Sequence, residues 1–211
     1  EEPVMTETPV TLGFEITVSN LTSNQPLSPV AAIIHDESYH PWTIGSAAST
    51  GLEILAEGGD TGQFLSEADA AGAYASEAGS GLVMSGGSSM IEINTVEYSN
   101  LSLSLATMLV NTNDAFAGLQ GINLTNLAVG DELSLLIPVY DAGTEMNSET
   151  AGTMPGPADG GEGYNAARDD VDVVARHPGV VSDVDGYADS VLDSSHRIEG
   201  QVAKLLVRRT L

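Results

Sequence analysis

The sequence predicts an all-β fold, an antiparallel β-sandwich with a short helical insertion. Short apolar segments recur along the chain, several of them alternate with period two as half-buried strands do, and turn-forming residues separate them. Helical spacing is confined to one early stretch, over residues 49–71, so the chain lacks the alternating strands and helices of a parallel-sheet protein. We therefore assign residues 11–211 to one sandwich domain, preceded by an extended arm over residues 1–10.

The elements follow in chain order. Residues 11–18 alternate and predict a half-buried strand, while the continuous apolar run over 30–35 predicts an interior strand. A helix is predicted to follow the N-cap Ser49 as far as Glu57, and a second helix to cover residues 61–71. The remaining predicted strands are 92–96, 100–110, 133–139 and 201–207. Two stretches rich in small residues, Gly, Ser or Pro are predicted as loops, over 72–89 and 147–163.

The composition excludes several classes of function. Apolar residues make up 42% of the 211 residues, which is enough for a sizeable core and too much for a disordered acidic tail. Asp and Glu number 30 against 6 Lys and Arg, so the formal net charge is -24. That charge repels nucleic acids, anionic membrane surfaces and sulfated glycans, so we expect none of them as a partner. No apolar run approaches the ~18 to 20 residues that a membrane-spanning helix needs.

The cellular location is suggested by two further features. The chain contains no cysteine, which suits a cytosolic protein or a secreted bacterial protein that relies on core size and bound ions. It begins Glu1-Glu2-Pro3 without a Met, as a protein does after removal of a signal peptide, although trimming produces the same start. We favour secretion and expect the protein outside the cell or on its surface.

Three carboxylates are candidates for a metal site. The motif Tyr140-Asp141-Ala142-Gly143-Thr144-Glu145 follows the strand over 133–139 and places two carboxylates on either side of a tight Gly turn. Asp114 follows the strand over 100–110, and all three converge if the two strands run to the same end of the sandwich. Calcium prefers several oxygen ligands at once, so Asp114, Asp141 and Glu145 are predicted to bind Ca²⁺. The alternative is that each Asp only caps a turn.

At these motifs the chain resembles a known family. Asn113-Asp114-Ala115-Phe116-Ala117-Gly118-Leu119 and the Tyr140 to Glu145 motif look like the paired signatures of spondin domains, the N-terminal module of F-spondin-type matrix proteins. Weaker similarity extends over most of residues 12–208. The resemblance implies a C2-like β-sandwich that binds calcium at one end through Asp114, Asp141 and Glu145. The animal pattern usually has Asp where this chain has Glu145, and the animal modules use disulfides that this chain lacks.

Other motifs are less specific. The acidic stretches over 169–172 and 183–189 are candidates for a further cation, but the second lacks the Glu of a calcium loop because Ser194 occupies the twelfth position. The four His residues are too scattered for a zinc site, and no G-x-S-x-G motif is present. Asn20, Asn100 and Asn123 each begin an Asn-x-Ser/Thr triplet, which is common by chance.

We expect a secreted, calcium-binding, spondin-like module that is not an enzyme. Its role would be structural or adhesive, in extracellular matrix, on the cell surface or in a fibre. Two alternatives remain open at this point, a metal-assisted extracellular hydrolase and a calcium-dependent carbohydrate-binding module. The N-terminal arm is expected to pair with a strand of a neighbouring copy, giving a homo-oligomer or fibre, or with its own sheet.

Overall fold

The computed structural model describes residues 10–211, and within them the chain forms nine strands and two α-helices. The predicted N-terminal arm lies outside the described residues, apart from Val10. The strands are β1 Thr11–Asn20, β2 Ala31–His35, β3 Ala75–Ala78, β4 Ser88–Val96, β5 Ser102–Met108, β6 Ala115–Asn123, β7 Glu132–Asp141, β8 Ala175–Arg176 and β9 Gln201–Arg209. The helices are α1 Thr50–Gly58 and α2 Gly62–Ala70. None of the helices in this part of the chain has the length and apolar character of a membrane span.

The strands form one antiparallel sheet that curls into a nearly closed, barrel-like sandwich. Their order is β3-β2-β5-β6-β7-β9-β1-β4, and β8 pairs with β7. The end strands β3 and β4 contact each other, so the sheet almost closes on itself. The predicted all-β sandwich with a helical insertion is confirmed.

The burial of each strand explains its sequence pattern. In β1, every second residue is buried in the main core, which produces the alternation (Leu12, Phe14, Ile16 and Val18). In β2, by contrast, all five residues are buried. Ala32 and Ile34 face the main core, while Ala31 and Ile33 pack in a second cluster together with the helices. A strand covered on both sides is apolar throughout, as the run over 30–35 predicted.

The helices begin and pack as the sequence indicates. The Ser49 side chain accepts a hydrogen bond from the Leu52 backbone N–H (3.1 Å), and Gly59 ends α1 with a φ of 71°. A methyl group at Gly51 would lie 2.7 Å from the Phe64 backbone, so glycine permits close contact between α1 and α2. Helix α1 also contacts β5 and β6, and its C-cap Gly59 lies beside Met108 at the end of β5.

Three strands were not predicted, and one of them determines the site. Strands β3 and β8 are short, whereas β6 is long but has Ala or Gly at four of its nine positions. A methyl group at Gly118 in β6 would lie 2.7 Å from Trp42, which packs over the strand together with Phe116 and Tyr140. Because β6 pairs with β7 and aligns Ala115 with Asp141, it brings the residue before it, Asp114, to the end of β7.

Candidate metal centre

Asp114 connects the two predicted acidic motifs through its backbone and its side chain. Its carbonyl oxygen accepts a hydrogen bond from the Ala142 N–H (3.3 Å). Its Oδ2 accepts hydrogen bonds from the backbone N–H groups of Thr144 (2.8 Å) and Glu145 (3.1 Å). The turn after β7 is therefore folded over Asp114. The three predicted carboxylates lie at one end of the sandwich, which we call the acidic rim.

The turn depends on Gly143 and Asp141. Gly143 has a φ of 72°, and a methyl group there would lie 2.2 Å from the Val173 carbonyl oxygen. The Asp141 carboxylate accepts hydrogen bonds from the Gly143 N–H (2.7 Å) and from the Asn147 Nδ2 (2.5 Å). Asp141 thus stabilises the turn, as the capping alternative predicted. Its carboxylate is also a neighbour of the Asp114 carboxylate.

Burial makes ionisation of these carboxyls unfavourable. Asp114 is fully buried, and its Oδ1 has no hydrogen-bond partner among residues 10–211. Burial, reinforced by the neighbouring Asp141 charge, raises the pKa of Asp114 to about 7. Burial, followed by the charge of Glu57, raises the pKa of Glu145 to about 8.

Glu57, on α1, is a member of the site that the sequence analysis missed. It is almost fully buried, and its Oε1 has no partner among the described residues. Its Oε2 accepts a hydrogen bond from the Asn165 N–H (2.9 Å), and burial raises its pKa. The Thr144 hydroxyl donates its hydrogen to Asp114 Oδ2 (3.3 Å), and Glu57 lies close enough to Glu145 for its charge to raise the pKa of that residue.

One signal in the sequence could have identified Glu57. Glu53 and Glu57 are four residues apart in α1 and directly follow Leu52 and Ala56, which lie on the apolar face. Acidic residues so close to the buried stripe of a helix need a partner, because an unpaired buried charge is strongly unfavourable. Only the position of the helix over β6 shows which partner each residue has.

The rim carboxyls lack a protein cation. Arg168 binds Glu53 Oε2 (2.7 Å) and Asp172 Oδ1 (2.5 Å), so its charge is already engaged. Across residues 10–211, no ion pair involves Asp114, Asp141, Glu145 or Glu57. His177 contacts Asn147, but burial lowers its pKa, which favours the neutral ring.

The side chains do not form a complete ligand set as they stand. Among the described residues, no group of three or more His, Cys, Asp and Glu side chains is arranged to hold a metal ion. The oxygens nevertheless fit a hard cation, because the unpartnered Asp114 Oδ1 and Glu57 Oε1 are carboxylate acceptors of the type that Ca²⁺ binds. A cation would also compensate the buried negative charge.

The two other acidic stretches have structural partners in the protein. Asp169 accepts a hydrogen bond from the Met146 N–H (2.9 Å), and Asp172 pairs with Arg168. Asp185 accepts hydrogen bonds from the Ser182 N–H and hydroxyl and pairs with Arg197. These contacts account for Asp169, Asp172 and Asp185 without a further ion.

Comparison with known proteins identifies one match. The family model described as Spondin_N matches residues 20–155, which is more than half of the chain. The matched region contains Asp114, Asp141 and Glu145 as well as Glu57. No curated protein matches the chain.

The raised pKa values predict that the ion-free protein loses stability as pH rises. In the unfolded chain, Asp and Glu ionise near pH 4, whereas the folded pKa of Asp114 is about 7 and that of Glu145 about 8. The folded state therefore binds more protons in this window, and the free energy of unfolding falls as pH increases through it. Melting curves with a chelator, in about 1 M NaCl to screen surface repulsion, measure this dependence.

The control for this prediction is Asp114→Asn. The amide keeps an oxygen for the backbone donors and removes one buried ionisation, so the fall in melting temperature between pH 5 and pH 8 becomes smaller than in the wild type. Glu92→Gln, at an exposed position on β4, leaves the wild-type dependence unchanged. The same pH dependence in Asp114→Asn and wild type contradicts the assignment to Asp114.

Proposed function

The chain belongs to the spondin N-terminal domain family, and from this premise we propose that it is an extracellular calcium-binding module with a structural or adhesive role. The proposed module performs no catalysis, and its cofactor is Ca²⁺. Asp114, Asp141 and Glu145 would hold the ion together with Glu57. The bound ion would supply positive charge at the rim.

The observation that supports calcium binding is the presence of buried carboxyl groups at the rim with oxygens that are unpartnered in the described part of the chain. Asp114 and Glu57 are buried, each has an oxygen without a partner among residues 10–211, and Arg168 is engaged with Glu53 and Asp172. Ca²⁺ accepts six to eight oxygen ligands, including carboxylates, carbonyls and water. Its charge offsets the desolvation that otherwise keeps these carboxyls protonated.

The structural role follows from the segments that the rim residues join. Glu57 lies on α1, Asp114 precedes β6, and Asp141 and Glu145 flank the turn after β7. An ion bound by these residues would cross-link the helical insertion to two strands of the sandwich. A ligand that binds only the folded state stabilises it, by about 2.7 kcal/mol at a hundred times its dissociation constant.

Calcium is predicted to raise the melting temperature of the protein by about 5–10 °C when present at about a hundred times its dissociation constant. Calorimetry or fluorescence melts at pH 8, with calcium or with chelator, measure this shift. Asp114→Asn is expected to abolish the shift and Glu57→Gln to reduce it, while the exposed Glu92→Gln retains it in full. An unchanged midpoint in the wild type, or a full shift in Asp114→Asn, contradicts the proposal.

The extracellular assignment rests on the family, since spondin domains are extracellular in general. The lack of cysteine and the net charge of -24 agree with a protein stabilised by ions in the surroundings. We expect the protein in the medium of its source cells, or on intact cells in a form that added protease digests. A chain that is recovered only after lysis, and that is protected from protease until then, contradicts this assignment.

Self-association through residues 1–9 is a separate part of the proposed adhesive role. The described chain begins beside β4, where the Glu97 N–H donates a hydrogen bond to the Val10 carbonyl (3.0 Å). Residues 1–9 precede this point, and in the proposal they add a strand to the sheet of a second copy. Deletion of residues 1–9 is expected to reduce the particle size measured by light scattering. Equal particle size with and without the arm argues against this role.

A further inference from the structure

The three Asn-x-Ser/Thr triplets differ in the burial and the hydrogen bonding of the Asn side chain. Asn20 is buried, and its Nδ2 donates hydrogen bonds to the carbonyl oxygens of Gln25 and Val83 (2.8 Å each). Its Oδ1 accepts hydrogen bonds from the Thr22 N–H (2.9 Å) and hydroxyl (2.7 Å). Both ends of this amide are engaged in the interior, so an enzyme has no access to it in the folded protein.

Asn100 is constrained by its position. It is half-buried and lies two residues before β5. The hydroxyl residue of its triplet, Ser102, is buried in β5. Recognition of this triplet would require part of β5 to leave the sheet.

Asn123 differs from both. It is exposed, it is the last residue of β6, and its Oδ1 accepts a hydrogen bond from the Thr125 N–H (2.9 Å). This Asx turn leaves the Nδ2 pointing away from the backbone, without a hydrogen-bond acceptor among residues 10–211. Thr125 is half-buried and its Oγ1 accepts from the Leu101 N–H (3.0 Å), which leaves the hydroxyl hydrogen available.

We propose that Asn123 is an N-glycosylation site, accessible in the folded protein. The proposal rests on the extracellular part of the proposed function, because the modification occurs on exported chains. In the reaction, the Asn123 Nδ2 forms a bond to C1 of a glycan carried on a polyprenyl diphosphate. The bond between C1 and the diphosphate oxygen breaks, and the lipid diphosphate leaves while the amide loses one proton.

The position of Asn123 is compatible with the candidate metal centre. Asp114 lies directly before β6 and Asn123 at its far end, so about 30 Å of extended strand separates them. A glycan on Asn123 therefore projects from the pole of the sandwich opposite the acidic rim. The modification leaves the rim open to ions and to a partner.

The test uses folded, unglycosylated protein from a host that lacks the modification. The full chain is incubated with a polyprenyl diphosphate-linked oligosaccharide and an oligosaccharyltransferase that recognises the three-residue triplet. Intact mass and peptide mapping are expected to show one glycan, on Asn123. Asn123→Gln and Thr125→Ala abolish transfer, whereas Asn100→Gln accepts the same glycan mass as wild type. Near-UV circular dichroism of each variant establishes that it remains folded.

Two results overturn the proposal: the absence of transfer to the folded wild type, and a glycan that persists in Asn123→Gln. Peptide mapping of the wild-type protein locates the glycan without any substitution. The site is therefore identified even if a variant fails to fold. Because the enzyme and donor are supplied in solution, failure of transfer counts against the site wherever the chain resides. The protease experiment on source cells addresses the compartment alone.

Discussion

The hydrogen bonds from the Thr144 and Glu145 backbone to the Asp114 carboxylate are the constraint on which the acidic rim depends. They join the start of β6 to the turn after β7, and they place Glu145 where the charge of Glu57, on α1, raises its pKa. The same bonds bury a carboxylate that no protein cation neutralises among residues 10–211. The hydrogen bonds thus favour a buried carboxylate while burial disfavours its charge, and the proposed cation would compensate that charge.

The burial of acidic groups is notable in a chain whose net charge is -24. Most acidic side chains in such a protein are solvated, and screening by salt limits their mutual repulsion. Glu53 and Glu57 face inward instead, and within residues 10–211 only Glu53 has a guanidinium partner, from Arg168. The loop that carries Arg168 thus supplies a positive charge that pairs with Glu53. Glu57, in the same helix, has no such ion pair among the described residues.

The sequence predicted those strands whose pattern of apolar residues follows from burial of one face or of both faces. The alternation of β1 and the apolar run of β2 are examples, and Ser49 marked the start of α1 by its capping chemistry. Strand β6 escaped prediction because Ala115 and Ala117, in the main core, and Gly118, beneath Trp42, are small. Asp114 and Asp141 were paired by motif, whereas Glu57 joins them only through the position of α1 on the sheet, which no local pattern contains.

The order of strands has a consequence for biosynthesis. Strand β9, the last in the chain, lies between β7 and β1 and is the sole link between the β1–β4 pair and the other six strands in the described sheet. During translation, β1 and β4 therefore cannot be joined to the rest of the sheet until β9 has been synthesised. A chain shortened before β9 lacks the strand that joins these two parts of the described sheet.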